Sequence, residues 1–387
     1  MIAIDGAVAE SSIPMQLNGK NFKGEYSLYF HIPFCTKKCD YCHFYVIPDQ
    51  QRHKDLYKNA LKKEWKYRQP PHDTSQLVSI YFGGGTPALL GPTTIYEILS
   101  WVSPPSNCEI TLEANPENVS LELMSAFRKS GINRVSLGVQ TLDDTLLKTL
   151  SRTHSAERSL AAVEQTAQAG IDNISIDLMY DLPGQTLESW QQTLEQAVNL
   201  PITHLSLYNL TIEPHTVFFK KKRLLKLPDS QTSLEMLNSA IEILEKNDLK
   251  RYEISAFAKR GQVSKHNIGY WTGRPFLGFG PSACSYWGES RFRTVANLNR
   301  YAKALDEGLD PTDFHETLSN KERLKESLAI RLRLLKGVPL QTWPTEIELG
   351  LVQLTKEGFL ERKEGSLRLT PKGLLFHDTV AEEIMSL

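Results

Sequence analysis

Short apolar runs alternate with longer stretches of helical spacing through the first two thirds of the chain. The runs rich in β-branched and aromatic residues are Tyr26–Pro33, Leu77–Phe82, Glu109–Ala114, Arg134–Val139, Asn173–Tyr180 and His204–Leu210. Most lead into segments whose apolar residues recur every three or four positions, at about 51–68, 92–102, 120–130, 155–170 and 186–199. In one of these, Leu160, Val163 and Ala167 share a face and Gly170 stands where a helix would stop. Strands alternating with helices predict an α/β fold, a parallel sheet covered by helices. About six such units predict a partial or full β/α barrel, in which chemistry collects at the C-terminal ends of the strands.

A longer helix is expected at about 229–247, followed by an aromatic and glycine-rich segment over 252–300. The pattern then changes. Helices at about 321–336 and 345–358, a hairpin through Leu360–Leu369 turning at Glu364-Gly365, and a last helix at 371–385 predict a small winged-helix-like α+β domain. The expected division is an N-terminal arm over 1–25, a barrel with its extension over 26–305, and the small domain over 306–387.

Charge narrows the partners. The 387 residues carry a formal net charge of -1, with 23% charged and 41% apolar positions, as in ordinary globular proteins. Residues 320–387 hold 11 Lys/Arg against 10 Asp/Glu, so the small domain lacks the basic footprint of a nucleic-acid binder. No apolar run reaches the roughly 18 residues that span a bilayer. Met1 to Glu10 has acidic residues and no basic start, unlike a secretory signal. A cytoplasmic protein is expected.

Of five cysteines, three fall in Cys35-x3-Cys39-x2-Cys42, while Cys108 and Cys284 stand alone. An odd count with one tight cluster fits a reducing compartment and a metal site better than a disulfide framework. Three thiolates can hold three irons of a cubane cluster and leave the fourth open. A zinc site is the other reading, with His31 or His43 as a fourth ligand, but no second ligand pair appears at zinc-like spacing. The strand ends carry further polar groups: Gly83-Gly84-Gly85-Thr86-Pro87 after the second run, Glu113-Ala114-Asn115-Pro116 at the third, Gln140 after the fourth, and Asp177 and Asp181 on the fifth. A carboxylate such as Asp177 on an apolar strand needs partners.

The segment from Leu28-Tyr29-Phe30-His31 through Cys42 resembles the signature of radical S-adenosylmethionine (SAM) enzymes. It is most similar to the branch that holds the oxygen-independent coproporphyrinogen III dehydrogenases and the HemW heme chaperones. The likeness runs over about 26–385 and includes Ser136-Leu137-Gly138-Val139-Gln140, Asp177 through Thr186, Leu205-Ser206-Leu207-Tyr208, Thr211-Ile212-Glu213-Pro214 and Tyr252-Glu253-Ile254-Ser255. The resemblance implies a partial (β/α)6 barrel with a [4Fe–4S] cluster on Cys35, Cys39 and Cys42 and SAM beside it. It implies that Gly84, Gly85 and Thr86 let the backbone approach the cofactor, that Glu113 takes its ammonium and that Arg152 takes its carboxylate. Asp177 then suits ribose hydroxyls, Tyr29 and Gln140 add polar contacts, and the Tyr41 backbone meets adenine.

Within that branch, two features favour the heme chaperones. Phe44 stands where the dehydrogenases have a fourth cysteine, and His266-Asn267-Ile268-Gly269-Tyr270-Trp271 resembles the chaperones' His-Asn-x-x-Tyr-Trp. The resemblance makes His266 a candidate heme ligand; the other reading has His266 and Trp271 shaping the barrel floor. Cys284 stands where relatives have a histidine. Heme or a porphyrin and heme-receiving proteins are the expected partners. The basic run Lys220-Lys221-Lys222-Arg223 reads as a solvated loop.

Overall fold

The computed structural model describes residues 24–387. The expected N-terminal arm, but for its last two residues, lies outside the described residues. The six apolar runs form strands β1 (Tyr26–Ile32), β2 (Leu77–Gly84), β3 (Glu109–Ala114), β4 (Arg134–Gln140), β5 (Asn173–Tyr180) and β6 (His204–Asn209). They lie side by side, all parallel, in chain order. The helices between them include α1 (Gln51–Arg68), α2 (Pro92–Val102), α3 (Leu121–Ser130), α4 (Asp144–Thr149), α5 (Ala156–Gln168) and α6 (Leu187–Ala197). Local chemistry sets their starts. Ser120, Asp143 and Ser155 cap α3, α4 and α5 through side-chain oxygens, and Thr186 with Ser189 forms a capping box on α6.

The strands alternate strictly between two environments. Leu28, Phe30, Ile80, Phe82, Ile110, Leu112, Val135, Leu137, Ile174 and Ile176 are buried in the main core. Phe30 stacks on Phe82 and Phe279 with ring centroids 5.2 and 5.3 Å apart. The residues between them point to the barrel interior, which is polar. Ser79 Oγ bonds Ser27 Oγ at 2.9 Å, Ser175 Oγ pairs with His204 Nδ1 at 2.8 Å, and Ser136 Oγ donates to Asp177 at 3.2 Å. Side chains of a strand alternate across the sheet, so one register puts all the polar positions inside.

The long segment after β6 carries α7 (Val217–Lys221), α8 (Ser230–Lys246), strands β7 (Lys250–Glu253) and β8 (Ala256–Ala258), then α9 (Lys265–Thr272). Strand β9 (Phe276–Phe279) is a finding of the structure. It pairs parallel to the outer edge of β1, Tyr29 facing Gly278, and makes seven parallel strands rather than six. Antiparallel strands β10 (Cys284–Trp287), β11 (Ser290–Thr294) and β12 (Thr312–Thr317) extend that edge, with α10 (Leu298–Asp306) before β12. Helix α1 locks onto this edge through Glu64, which accepts from Arg68 Nε (2.8 Å), Tyr301 Oη (2.6 Å) and the Gly280 amide (2.7 Å).

The domain boundary expected at 306 moves. Strand β12 pairs with β11 in the large sheet, so the small domain begins at α11 (Asn320–Arg331). Its own apolar core gathers Leu328, Leu332, Ile347, Leu351, Leu367 and Val380. Its strand β13 (Val338–Pro339), helix α12 (Thr345–Lys356) and hairpin β14 (Leu360–Lys363) with β15 (Ser366–Leu369) have the winged-helix order. The expected last helix is two, α13 (Pro371–Leu375) and α14 (His377–Ser386). Arg333 ties this domain to the barrel: its guanidinium lies 4.4 Å over the Trp271 ring and 3.3 Å from Glu253.

Candidate functional site

The cysteine loop leaves the C-terminal end of β1. Phe34–Cys35 pairs with Ile47–Pro48, so the loop is closed at its base like a small purse. Inside it the Cys42 amide donates to the Cys39 carbonyl at 3.2 Å. The amides of Gly85 and Thr86, at the end of β2, donate to the carbonyls of Ile32 and Phe34 at 2.9 and 2.7 Å. A Cβ on Gly84 would lie 2.6 Å from the His31 ring, and one on Gly85 would lie 2.6 Å from the Phe34 carbonyl. These glycines therefore make room for the chain's own His31 and loop backbone. His31 is held by Tyr45 O and Tyr29 Oη (3.2 and 3.1 Å); burial lowers its pKa to about 4 and keeps it neutral.

A chain of hydrogen bonds links two of the cysteines. Cys35 Sγ lies 3.5 Å from Thr86 Oγ1, which accepts from Asn115 Nδ2 at 3.0 Å. Asn115 Oδ1 accepts from Arg152 Nη2 at 2.7 Å, and Arg152 Nη1 reaches Cys39 Sγ at 3.5 Å. Arg152 Nη2 also donates to the Gly138 carbonyl at 2.5 Å, while its Nε is buried without a partner. Two neighbours of Arg152 fix its loop: Thr153 and His154 both grip Glu117, at 2.8 and 3.0 Å. Gly138 has no room for a side chain, since Asn115 Oδ1, Gln140 Nε2 and Arg152 Nη2 crowd its Cβ position at 3.1–3.2 Å. Gln140 itself takes a positive φ of 69° to end β4 there. Asn115, one residue past the end of β3, joins the site, and its place just beyond a strand end is the signal the sequence carries for it.

Below these bonds, Glu113 accepts from Tyr81 Oη at 2.8 Å and from the Gly84 amide at 3.0 Å. Burial, and then the Asp177 carboxylate, raise its pKa to about 7 against those bonds. Burial raises Asp177 to about 6 despite the Ser206 and Ser136 hydroxyls and Arg134. Tyr41 lies where it feels Arg152, both nearer cysteines and Asp177, so its phenol ring, not its backbone alone, enters the site. Burial pushes the Cys35 thiol up to about 11, and Cys42 and Cys39 add to this. Arg152 remains a firm cation because Tyr41, Cys39 and Glu117 outweigh its burial.

A pH effect follows. Glu113 and Asp177 hold protons more tightly when folded than at their ordinary values of 4.5 and 3.8. Folding binds protons in that window, so stability falls as pH rises from about 4 to about 7. The ligand-free protein is expected to lose melting temperature over that range relative to Glu113→Gln. A wild-type-minus-variant difference that stays constant with pH would contradict the assignment.

The structure brings Cys35, Cys39, Cys42, Tyr29, Tyr41, Gly84, Gly85, Thr86, Glu113, Gln140, Arg152 and Asp177 to one end of the barrel. It does not bring His266 there. That side chain is 1% exposed deeper in the barrel, its ring 4.9 Å from Tyr81 and 6.4 Å from Tyr29, with Nδ1 on Ser79 Oγ and Nε2 on Tyr270 Oη, both at 2.9 Å. The Glu109 carboxylate holds the first amides of α9 beside it. Both nitrogens are thus engaged with hydroxyls of the chain itself.

Three thiols on one loop beside a buried guanidinium with an orphaned Nε form a donor set that suits an iron–sulfur cluster with an anionic neighbour. The radical SAM superfamily profile matches residues 29–197, and the HemN C-terminal domain profile matches residues 318–376. The heme chaperone HemW of Lactococcus lactis is 33% identical over 376 residues, 93% of this chain and 97% of that protein. HemW of Bacillus subtilis is 33% identical over 92% of this chain and 97% of its own. The chain belongs to the HemW family of radical SAM proteins. Radical SAM proteins carry a [4Fe–4S] cluster and S-adenosylmethionine, and so does this one. Among solved structures, coproporphyrinogen III oxidase (HemN) of Escherichia coli superposes with a TM-score of 0.82 at 24% identity, covering 94% of this chain and 91% of that one. That likeness confirms the partial barrel and small C-terminal domain as a shared fold. Among the described residues no helix is long and apolar enough to cross a membrane.

Proposed function

We propose that this HemW-family chain binds heme and passes it to hemoproteins in the cytoplasm, with its cluster and SAM held at the barrel mouth. The observation that supports this best is the match to heme chaperones along 97% of their length. Phe44 in place of a fourth cysteine points the same way. Five free cysteines, three of them cluster ligands, fit a reducing compartment.

Cys35, Cys39 and Cys42 hold the cluster and leave one iron open. Thr86 and Asn115 position Cys35 and Arg152 through these hydrogen bonds. Arg152, a buried cation with an unpartnered Nε, would take the SAM carboxylate. Glu113 takes the ammonium and Asp177 the ribose hydroxyls, each ready to give up a proton when a cation or donor arrives. Gln140 and Tyr29 would add polar contacts, and Tyr41 would meet the adenine. When bound, the cluster supplies one electron to S-adenosylmethionine; the polar barrel beneath keeps the cofactor oriented and away from bulk water.

The test adds hemin to one sample of anaerobically reconstituted protein and coproporphyrinogen III, with SAM and reductant, to another. Stoichiometric heme binding without decarboxylation is the expected result. Formation of protoporphyrinogen would make the chain a dehydrogenase and overturn the proposal. In the same assay His266→Ala is expected to leave the heme spectrum unchanged and to cost stability by about 1–3 kcal/mol, since Ser79 and Tyr270 lose a buried partner. A changed spectrum would return His266 to the heme site.

A further inference from the structure

Arg134, the first residue of β4, is 2% exposed. Its neighbours fix where it points. Val135 and Leu137 enter the apolar core outside the sheet, while the Ser136 hydroxyl reaches Asp177 inside the barrel. Arg134 shares the face of Ser136, so its side chain is inside too. Register sets its height. Arg134 lies opposite Thr111 of β3 and Asn173 of β5, and Glu113 lies opposite Ser136. The arginine is thus rooted one layer of side chains beneath Glu113, about 7 Å along the strand.

This cation has no contact partner. Its Nε is buried without one, it enters no ion pair among the described residues, and the Thr111 hydroxyl across from it is unpartnered as well. Arg68 shows the contrast of a structural arginine. Equally buried, it grips Glu64 at 2.8 Å and reaches Asp310 at 3.8 Å. A buried charge left uncompensated is costly, so the compensation for Arg134 comes from across the barrel.

The candidates are few. The phenols of Tyr29, Tyr41, Tyr81, Tyr208 and Tyr270 all face Glu113 or Asp177, and each is raised, by desolvation first, so they stay neutral. His204 and His266 are pushed down by burial first and then by arginines, Arg134 among them, and are neutral too. Glu109 is engaged by the amides of α9, and Glu253 by Arg333. Glu113 and Asp177 remain. Burial favours their protonated forms; Arg134 opposes it at both, and Arg152 at Asp177.

We propose that Arg134 is a positioning residue for SAM: its unpaired charge beneath Glu113 and Asp177 holds both as carboxylates, the forms that accept the cofactor's ammonium and ribose hydroxyls. This rests on the SAM contacts proposed above and deepens them. Two like charges in one buried pocket resist ionising together. A fixed cation about 7 Å away, at an effective dielectric of about 20, favours the ionised form by about tenfold or more.

The experiment measures SAM affinity of cluster-loaded full-length protein by equilibrium dialysis across the neutral pH range. It compares wild type, Arg134→Gln, Arg134→Met, Arg134→Lys and Glu113→Gln, with iron and sulfide content and the ligand-free melting temperature of each. Arg134→Met stands beside Arg134→Gln because an apolar side chain removes the charge without leaving a buried polar group, which guards against a folding failure. Wild-type affinity is expected to fall as pH drops through about 7, where Glu113 takes up its proton. In the two neutral variants the fall is expected to begin about one pH unit higher, so that Kd is weakened about tenfold at pH of about 6 and less than about twofold at pH of about 8.5. Arg134→Lys keeps the charge and is expected to keep the wild-type profile. Without ligand, the loss of melting temperature with rising pH is expected to continue about one unit further in the neutral variants, because a higher folded-state pKa widens the window in which folding binds protons. Neutral variants with the wild-type profile would overturn the role of Arg134. So would SAM binding that tightens at every pH, as removal of a merely repulsive cation would give, or a pH-independent loss that Arg134→Lys shares, as a structural role would give. A wild-type affinity without pH dependence and equal to that of Glu113→Gln would instead overturn the SAM contacts on which the proposal rests.

Discussion

Cys39→Ala is expected to lose the iron–sulfur centre altogether, with iron and sulfide near zero after anaerobic reconstitution and no visible cluster absorption. Two thiolates cannot hold three irons of a cubane, and neither Cys108 nor Cys284 belongs to the loop. The loss has a second cause. Cys39 Sγ is the far end of the hydrogen-bonded chain, 3.5 Å from Arg152 Nη1, so its removal also loosens the guanidinium that faces the cofactor. Because the thiols of Cys35 and Cys42 are pushed up by burial, loading the wild-type site must release protons. Reconstitution is therefore expected to be faster and more complete at pH 8 than at pH 6.5. Stoichiometric iron and sulfide in Cys39→Ala would remove the loop from the cluster site. Retained zinc with no iron in the wild type would favour the single-ion reading of the loop instead.

Arg152→Ala is expected to weaken SAM binding to the cluster-loaded protein by about 1.5–3 kcal/mol, the range for a hydrogen bond to a charged group. That is a loss of roughly tenfold to 150-fold in Kd, read by calorimetry or equilibrium dialysis. Arg152→Lys is expected to recover little of it. A lysine cannot hold Asn115 and Gly138 with one arm and offer a second planar edge to a carboxylate. Iron and sulfide content separates this from a folding defect, since the three cysteines are untouched. Unchanged SAM affinity in Arg152→Ala would place the carboxylate elsewhere.

These two residues were found by different routes, and the contrast runs through the whole molecule. Cys35, Cys39 and Cys42 are legible because metal-ligand spacing is local: three residues and two residues between them suffice to mark one loop. The strands were legible as short runs rich in β-branched and aromatic residues between helical stretches, and the structure shows a period of two within them. Tyr29 and His31, Tyr81 and Gly83, and Ser136 and Gly138 occupy the positions between buried Phe30, Phe82 and Leu137, a pattern that only a strand with one polar face satisfies. Strand ends then marked Thr86, Glu113, Gln140 and Asp177. Helices α1, α2, α3, α5, α6 and α8 fall within two residues of where their spacing puts them, while α11 stops at Arg331 rather than 336 and the last expected helix is two.

What the sequence by itself determined was therefore local: which segments become strands and helices, which face of each is polar, and which loop holds three thiols. Tertiary structure alone decided the pairings between distant residues. Strand β9 joins β1 across some 250 residues of chain, and β12 sits in the large sheet, because an edge strand's partner depends on which edge is left open. Asn115 bridges Thr86 and Arg152 only once β2, β3 and the loop after α4 end at the same level. His266 stands beside aromatics in the sequence, but that its nitrogens meet Ser79 and Tyr270 was decided only when the helix carrying it docked against the barrel. The basic run after β6 stays exposed as expected, while the Phe218–Asp40 bond, which ties the adjacent helix α7 to the cluster loop, shows only in three dimensions. In each case the physical reason is the same. Periodicity and spacing report on neighbours along the chain, while burial and hydrogen-bond partners are assigned by neighbours in space.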